Sequence, residues 1–160
     1  PIPEPLIFGQ ATRVMSLRDG SKKMSKSDPS DYSRIMLTDT ADDITLKIKK
    51  AKTDPLPLPE YVKDLNSRPE AQNLVSIYAS LQNNSLEDII NKYKGKEFSL
   101  FKKDLIDLAV SKLEPITLEM NKLKSDFAFI DTVLKEGKDK AITVAEPVLA
   151  KTKEIIGFLG

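Results

Sequence analysis

The sequence predicts a mainly α fold, in which the end of an α/β domain is followed by an antiparallel helical bundle. Three observations lead there. From Pro69 onward apolar residues recur with a helical period almost to the C-terminus. Residues 1–37 instead hold short apolar stretches broken by glycine and loop residues. Between these regions, Asp54-Pro55-Leu56-Pro57-Leu58-Pro59 cannot continue a helix and marks a rigid connection.

In chain order, Leu6-Ile7-Phe8 and Arg13–Leu17 read as strand and loop edges separated by Gly9. The loop Arg18–Ser33 is rich in Ser, Asp, Lys and Gly, and it is long enough to be functional rather than a plain connection. The first helix runs from about Ala41 to Lys52. Thr40 is its N-cap, Asp43 follows three residues later, and Ile44, Ile48 and Ala51 form an inward stripe. Beyond Pro69, the next stripe is Ala71, Leu74, Val75, Tyr78 and Ala79. Ser85 with Asp88 then caps a short helix ending at Gly95. The longest helix spans Ser99 to about Lys124, with Leu105, Leu108, Ala109 and Leu113 inward and a kink expected at Pro115. Two further helices are expected, 126–136 stopped by Gly137 and 138–156 stopped by Gly157.

Composition narrows the chemistry. The 160 residues contain no cysteine, which excludes disulfides and thiolate metal sites, and no histidine, the commonest general base and metal ligand. Lysine, serine, backbone N–H groups and carboxylates remain. No apolar run approaches the roughly 20 residues of a membrane span, and nothing at the N-terminus reads as a signal peptide. The start on Pro1-Ile2-Pro3, without a methionine, reads as part of a longer chain. The net charge of +1 conceals an uneven distribution. Arg13, Arg18, Lys22, Lys23 and Lys26 surround a single carboxylate, Asp19, and four more lysines lie in Lys47–Lys52. A local basic patch on a nearly neutral chain suits a confined polyanion site.

Lys23-Met24-Ser25-Lys26-Ser27 is the segment best suited to such an anion. Lysine ammoniums are mobile point charges, serine hydroxyls donate hydrogen bonds, and small residues let backbone N–H groups approach phosphate oxygens. A solvated Lys/Ser loop is the ordinary alternative for any two of these residues. The Lys47–Lys52 group reads as a helix C-terminus complementing its dipole. Lys102, Lys103, Lys122 and Lys124 read as solvated helix faces. Tyr61, Tyr78 and Tyr93 are candidates for stacking on bases, although Tyr78 lies on an apolar stripe and reads as core.

The order of residues in this loop resembles the KMSKS signature of class I aminoacyl-tRNA synthetases. The flanks are similar to the bacterial-type tryptophanyl-tRNA synthetase family. They include Ala11-Thr12-Arg13-Val14-Met15-Ser16-Leu17 before the motif and Asp28-Pro29 after it. Lys47-Ile48-Lys49-Lys50-Ala51-Lys52-Thr53-Asp54, Asn73-Leu74-Val75-Ser76-Ile77-Tyr78, Phe101-Lys102-Lys103-Asp104-Leu105 and Leu113-Glu114-Pro115-Ile116 extend the likeness over nearly the whole chain. Tyrosyl-tRNA synthetase resembles these flanks less well, and a stand-alone tRNA-binding helical module without catalysis is the alternative from another class.

The resemblance implies a specific organisation. Residues 1–54 would be the C-terminal part of a Rossmann-like nucleotide-binding domain, and residues 55–160 a helical anticodon-binding-type domain. Together they look like the C-terminal half of an enzyme of about twice the length. Lys23 and Lys26 would be catalytic, holding the ATP triphosphate as pyrophosphate leaves. Val14, through its backbone, and Lys23, Met24, Ser25, Lys26 and Ser27 would bind ATP, with Gly20 and Pro29 bracketing a closing segment. Mg²⁺ would accompany the triphosphate, and no metal ligands are assigned to the chain. The implied partners are ATP, L-tryptophan bound outside this chain, and tRNA(Trp). The implied setting is a cytoplasmic homodimer with no membrane association. The first class I signature and the amino-acid pocket are not in these residues, so the chain alone is expected to be inactive.

Overall fold

A computed structural model of the chain describes residues 2–7 and 11–158. It is mainly helical, with α1 Ala41–Lys49, α2 Pro69–Gln82, α3 Leu86–Tyr93, α4 Phe98–Ser125 and α5 Phe127–Ile155. Short 3-10 turns occupy Asp31–Ser33 and Val62–Ser67. Among the described residues there is no extended strand, and the one isolated β-bridge joins Met15 to Lys23 in antiparallel fashion. Leu6 and Ile7, expected at a strand edge, are exposed in irregular chain, where no neighbouring strand takes up their backbone groups. Phe8 and Gly9 lie outside the described residues.

The helix boundaries follow local chemistry. Thr40 Oγ1 accepts the Asp43 N–H at 3.2 Å while the Asp43 carboxylate accepts the Thr40 N–H at 3.0 Å, a reciprocal cap that starts α1. Ser85 and Asp88 repeat the device at α3. Pro69 begins α2, where its missing N–H costs nothing, and Asn83 ends it in the left-handed region with φ 58°. At the far end, Gly157 at φ 76° lets the Phe158 N–H return to the Lys153 carbonyl at 2.8 Å. The break expected at Gly137 does not occur, and α5 runs straight through it. An interior glycine costs only about 1 kcal/mol against alanine, and Gly137 has a negative φ, so the helices on either side propagate across it.

The chain packs as two compact units, Pro1–Thr117 and Leu118–Gly160. In the first, residues on both sides of position 54 share one core. Ile44, Ile48 and Ala51 meet Leu58, Leu65, Ala71, Leu74, Val75, Tyr78, Ala79 and the apolar faces of α3 and α4. The proline-rich connection is held to this core by Leu58, which is fully buried, and by Arg68. Its guanidinium grips Asp54 in a two-pronged pair at 2.6 and 2.9 Å and also donates to the Pro57 and Leu56 carbonyls. Tyr93, a base-stacking candidate from sequence, is instead 1% exposed. Its ring stands edge-on to Tyr78 and Phe101, and its hydroxyl donates to the Asp104 carboxylate at 2.6 Å. Tyr61 remains exposed.

Lys102 also departs from the expected solvated face. Its half-buried ammonium donates to the Ala51 carbonyl at 2.6 Å and the Lys49 carbonyl at 3.3 Å, closing the C-terminus of α1 from α4, and burial lowers its pKa. In the second unit, α5 starts on an Asp126 cap and buries none of its residues. Phe127, Leu134, Val144, Val148 and Ile155 are all exposed there.

Candidate functional site

The lysine-serine segment is carried by a small hairpin. The Met24 N–H donates to the Val14 carbonyl at 3.1 Å, and the Ser16 N–H donates to the Lys22 carbonyl at 2.8 Å, with Met15 opposite Lys23. The turn is closed by Asp19, whose carboxylate accepts the Ser21 hydroxyl at 2.6 Å and the Ser21 N–H at 3.1 Å. Those bonds, helped by Lys22, hold the Asp19 carboxyl down at about 2. The Lys22 ammonium lies 3.1 Å from Asp19 and is thereby committed to the turn.

Two anchors fix the hairpin to the helices. Leu17 is buried in the core; its N–H donates to the Ser33 carbonyl and its carbonyl accepts the Lys52 N–H at 2.7 Å. Gly20 lies against the first turn of α2, where a Cβ would stand 2.5 Å from the Pro69 carbonyl carbon. Gly20 is thus a close backbone contact rather than a free hinge, which only glycine allows. Glu70, on the same first turn of α2, pairs with Lys52 at 2.9 Å.

Beyond the hairpin the loop turns on its own side chains. The Ser25 and Ser27 hydroxyls are 2.9 Å apart, the Ser30 N–H donates to Asp28 at 2.8 Å, and Arg34 donates to the Asp28 carbonyl at 2.9 Å. Arg34 also pairs with Asp31 at 3.0 Å. The return arm is then bound to α1 by Lys47. Its ammonium lies 2.7 Å from Asp39 and 2.8 Å from Asp31, and its side chain is only 4% exposed. Burial pushes the Lys47 pKa down, but hydrogen bonds and charge from Asp31 and Asp39 outweigh it and leave the pKa raised. Asp39 also accepts the Met36 N–H, and the Thr117 hydroxyl reaches the Leu37 and Asp39 carbonyls from α4.

Within this frame the residues singled out by sequence are brought together on one loop. Val14 is half-buried, with its carbonyl joined to Met24, whose side chain packs against the core. Lys23, Ser25, Lys26 and Ser27 are exposed. Among the described residues, neither Lys23 nor Lys26 has a carboxylate within 4.0 Å, unlike Lys22, Lys47 and Lys52. Two unneutralised ammoniums next to two hydroxyls are groups whose chemistry suits phosphate oxygens. Sequence reasoning missed Lys47 and Asn73. Lys47 finds its carboxylates in a distant loop. Asn73 left a signal, an amide inside the apolar stripe of α2.

Comparison with known proteins identifies the family of the chain. A family model described as tRNA synthetases class I (W and Y) matches residues 1–113. The chain is 56% identical over 159 residues to a tryptophan–tRNA ligase of Mesorhizobium japonicum, covering 99% of this chain and 45% of that protein. It is 54% identical over 160 residues to the ligase so named in Caulobacter vibrioides, covering 100% and 46%. A crystal structure of tryptophanyl-tRNA synthetase from Mycoplasma pneumoniae shares the fold, with a TM-score of 0.76 and 24% identity, over 94% of this chain and 47% of that one. The chain therefore spans a little under half the length of the relatives it matches.

Proposed function

The chain belongs to the class I tRNA synthetases of the tryptophan and tyrosine group, and from that premise we propose that it is the C-terminal part of a tryptophan–tRNA ligase. The observation that carries the reading is the pinned hairpin that presents Lys23 and Lys26 free of carboxylates, in a chain 53–57% identical to proteins of that name. Every relative described above carries the tryptophan name, which sets the tyrosine reading aside.

In the proposed reaction a tryptophan carboxylate oxygen attacks the α-phosphorus of ATP. The bond from that phosphorus to the bridging oxygen breaks, giving tryptophanyl-adenylate and pyrophosphate. A hydroxyl of the 3′-terminal ribose of tRNA(Trp) then attacks the adenylate's carbonyl carbon, the bond from that carbon to the phosphate oxygen breaks, and AMP leaves. Lys23 and Lys26 hold the β- and γ-phosphates and stabilise the charge that grows on the departing pyrophosphate. The Ser25 and Ser27 hydroxyls and nearby N–H groups add donors, and the Val14 backbone borders the adenine. Mg²⁺ would be held by the triphosphate oxygens and would supply further charge neutralisation there. The loop's own groups are ammoniums and hydroxyls, which suit phosphate oxygen rather than a cation.

Residues 1–54 complete a Rossmann-like nucleotide-binding domain, and residues 55–160 form the antiparallel helical part that meets the anticodon end of the tRNA. The whole enzyme is a cytoplasmic homodimer. Among the described residues no helix is long and apolar enough to cross a membrane. The test is ATP–pyrophosphate exchange by the full-length protein with tryptophan and, separately, tyrosine. Exchange with tryptophan alone is expected, and no exchange by residues 1–160. Exchange driven by tyrosine, or by the short chain alone, overturns the reading.

A further inference from the structure

Met15 and Lys23 face one another as a pair that exchanges no hydrogen bonds of its own, because the flanking bonds run from Met24 to Val14 and from Ser16 to Lys22. In such a pair each residue's N–H and C=O turn away from the partner strand, toward the outer edges of the hairpin. On the Met15 edge, both groups are met by one side chain. The Asn73 amide oxygen accepts the Met15 N–H at 2.9 Å, and its NH₂ donates to the Met15 carbonyl at 2.8 Å. The same NH₂ lies 3.4 Å from the Ser16 carbonyl. Asn73 stands where a third strand would, and it is 5% exposed, so water cannot replace it.

We propose that Asn73 of helix α2 is a positioning residue for Lys23: it clamps the Met15 edge of the hairpin so that the opposite edge presents the Lys23 backbone and ammonium to phosphate. This rests on the functional reading above and assigns the part that α2 plays in it. The Lys23 edge carries no hydrogen bond to other described residues, so its N–H is a donor for the same anion. The seat is rigid at a second point, since Gly20 packs on the Pro69–Glu70 backbone one turn earlier in the same helix. A helix residue about 58 positions away in sequence thereby sets the register of the loop.

The experiment is a double-mutant cycle in the full-length protein, with Asn73→Ala and Lys23→Ala made singly and together. Single-turnover adenylate formation is read at saturating ATP and tryptophan. Asn73→Ala should slow the step roughly ten- to hundredfold, as expected for small displacements of a catalytic group, with tryptophan binding unchanged. In the Lys23→Ala background the same substitution should cost no more than about twofold, because the group it positions is already gone. Hydrogen exchange at residues 14–16 and 22–24 should accelerate in the Asn73 variants without any substrate present. If Asn73→Ala does not fold, Asn73→Asp, of equal size and keeping the acceptor, carries the same cycle. Additive losses, or an unchanged rate despite faster exchange, would overturn the inference while leaving the ligase reading intact. A wild-type protein inactive with tryptophan would remove that reading and this inference together.

Discussion

Two stretches of similar lysine density, Lys22–Lys26 and Lys47–Lys52, finish in opposite states. On the first, Lys23 and Lys26 stay exposed with no carboxylate in reach, while the chain beneath them is fixed by backbone bonds, Leu17, Gly20 and Asn73. On the second, Lys47 is buried between Asp31 and Asp39, Lys52 pairs with Glu70, and Lys50 lies over the Tyr32 ring at 4.4 Å. The difference is one of supply. The helix end lies beside a loop rich in acids, whereas the hairpin's single acid is taken up by Ser21 and Lys22. Lysine count alone therefore does not identify a ligand site, nor does a missing carboxylate, which Lys49 and Lys50 share among the described residues; Lys23 and Lys26 differ in flanking two serine hydroxyls on a pinned hairpin.

The sharpest way to break this contrast is Lys26→Ala in the full-length protein. Adenylate formation should fall by roughly 10²–10³ under single-turnover conditions, with the denaturation midpoint unchanged. Lys23→Ala should behave alike. An unaltered rate would make the loop an ordinary surface. The converse variant, Lys47→Met, should act on folding: removing one partner from a buried pair costs about 3 kcal/mol, measured by urea unfolding. Wild-type stability there would show that the burial of Lys47 carries no weight.

The same ion group predicts a pH signature. The Lys47 pKa is raised above 10.5, so its contribution is complete below that value and fades as pH climbs through the folded one. The Asp31 pKa is lowered from 3.8, chiefly by the Lys47 hydrogen bond, so its contribution is present above that value and fades as pH falls below it. Unfolding free energy measured against pH should show both flanks shallower in Lys47→Met, with the remainder set by groups such as Asp19, Asp54 and Lys52 that do not meet Lys47. Flanks of unchanged depth would assign them wholly to those other groups. The smallest effect is expected at Lys50→Ala, less than about 0.5 kcal/mol and no loss of activation rate, as for a surface side chain. A large defect there would erase the distinction between the two stretches.

Much of the helical frame was legible because its signals are local. Thr40 with Asp43 and Ser85 with Asp88 are caps readable three residues apart, and the stripes of α1 and α2 are buried as their period requires. The loop that gathers Lys23 to Ser27 was legible from residue order. What escaped depends on partners distant in sequence. Lys102 closes a helix some 51 positions away, Tyr93 hides its hydroxyl against Asp104 and Tyr78, and Asn73 completes a hairpin that contains no second strand pair. Gly137 misled for the opposite reason: a local breaker was outvoted by good helix formers on either side.

The buried Tyr78–Tyr93 pair has a spectroscopic consequence. The chain has no tryptophan, so its near-ultraviolet absorption comes chiefly from its four tyrosines. Burial, with the Asp104 carboxylate and Tyr78 beside it, drives the Tyr93 hydroxyl far above the ordinary value of 10.0, and no phenolate forms there while the core is closed. In an alkaline jump, the rise of that last phenolate band should therefore be timed by the opening of the core around α2, α3 and α4 rather than by hydroxide encounter, giving a built-in optical clock for its unfolding.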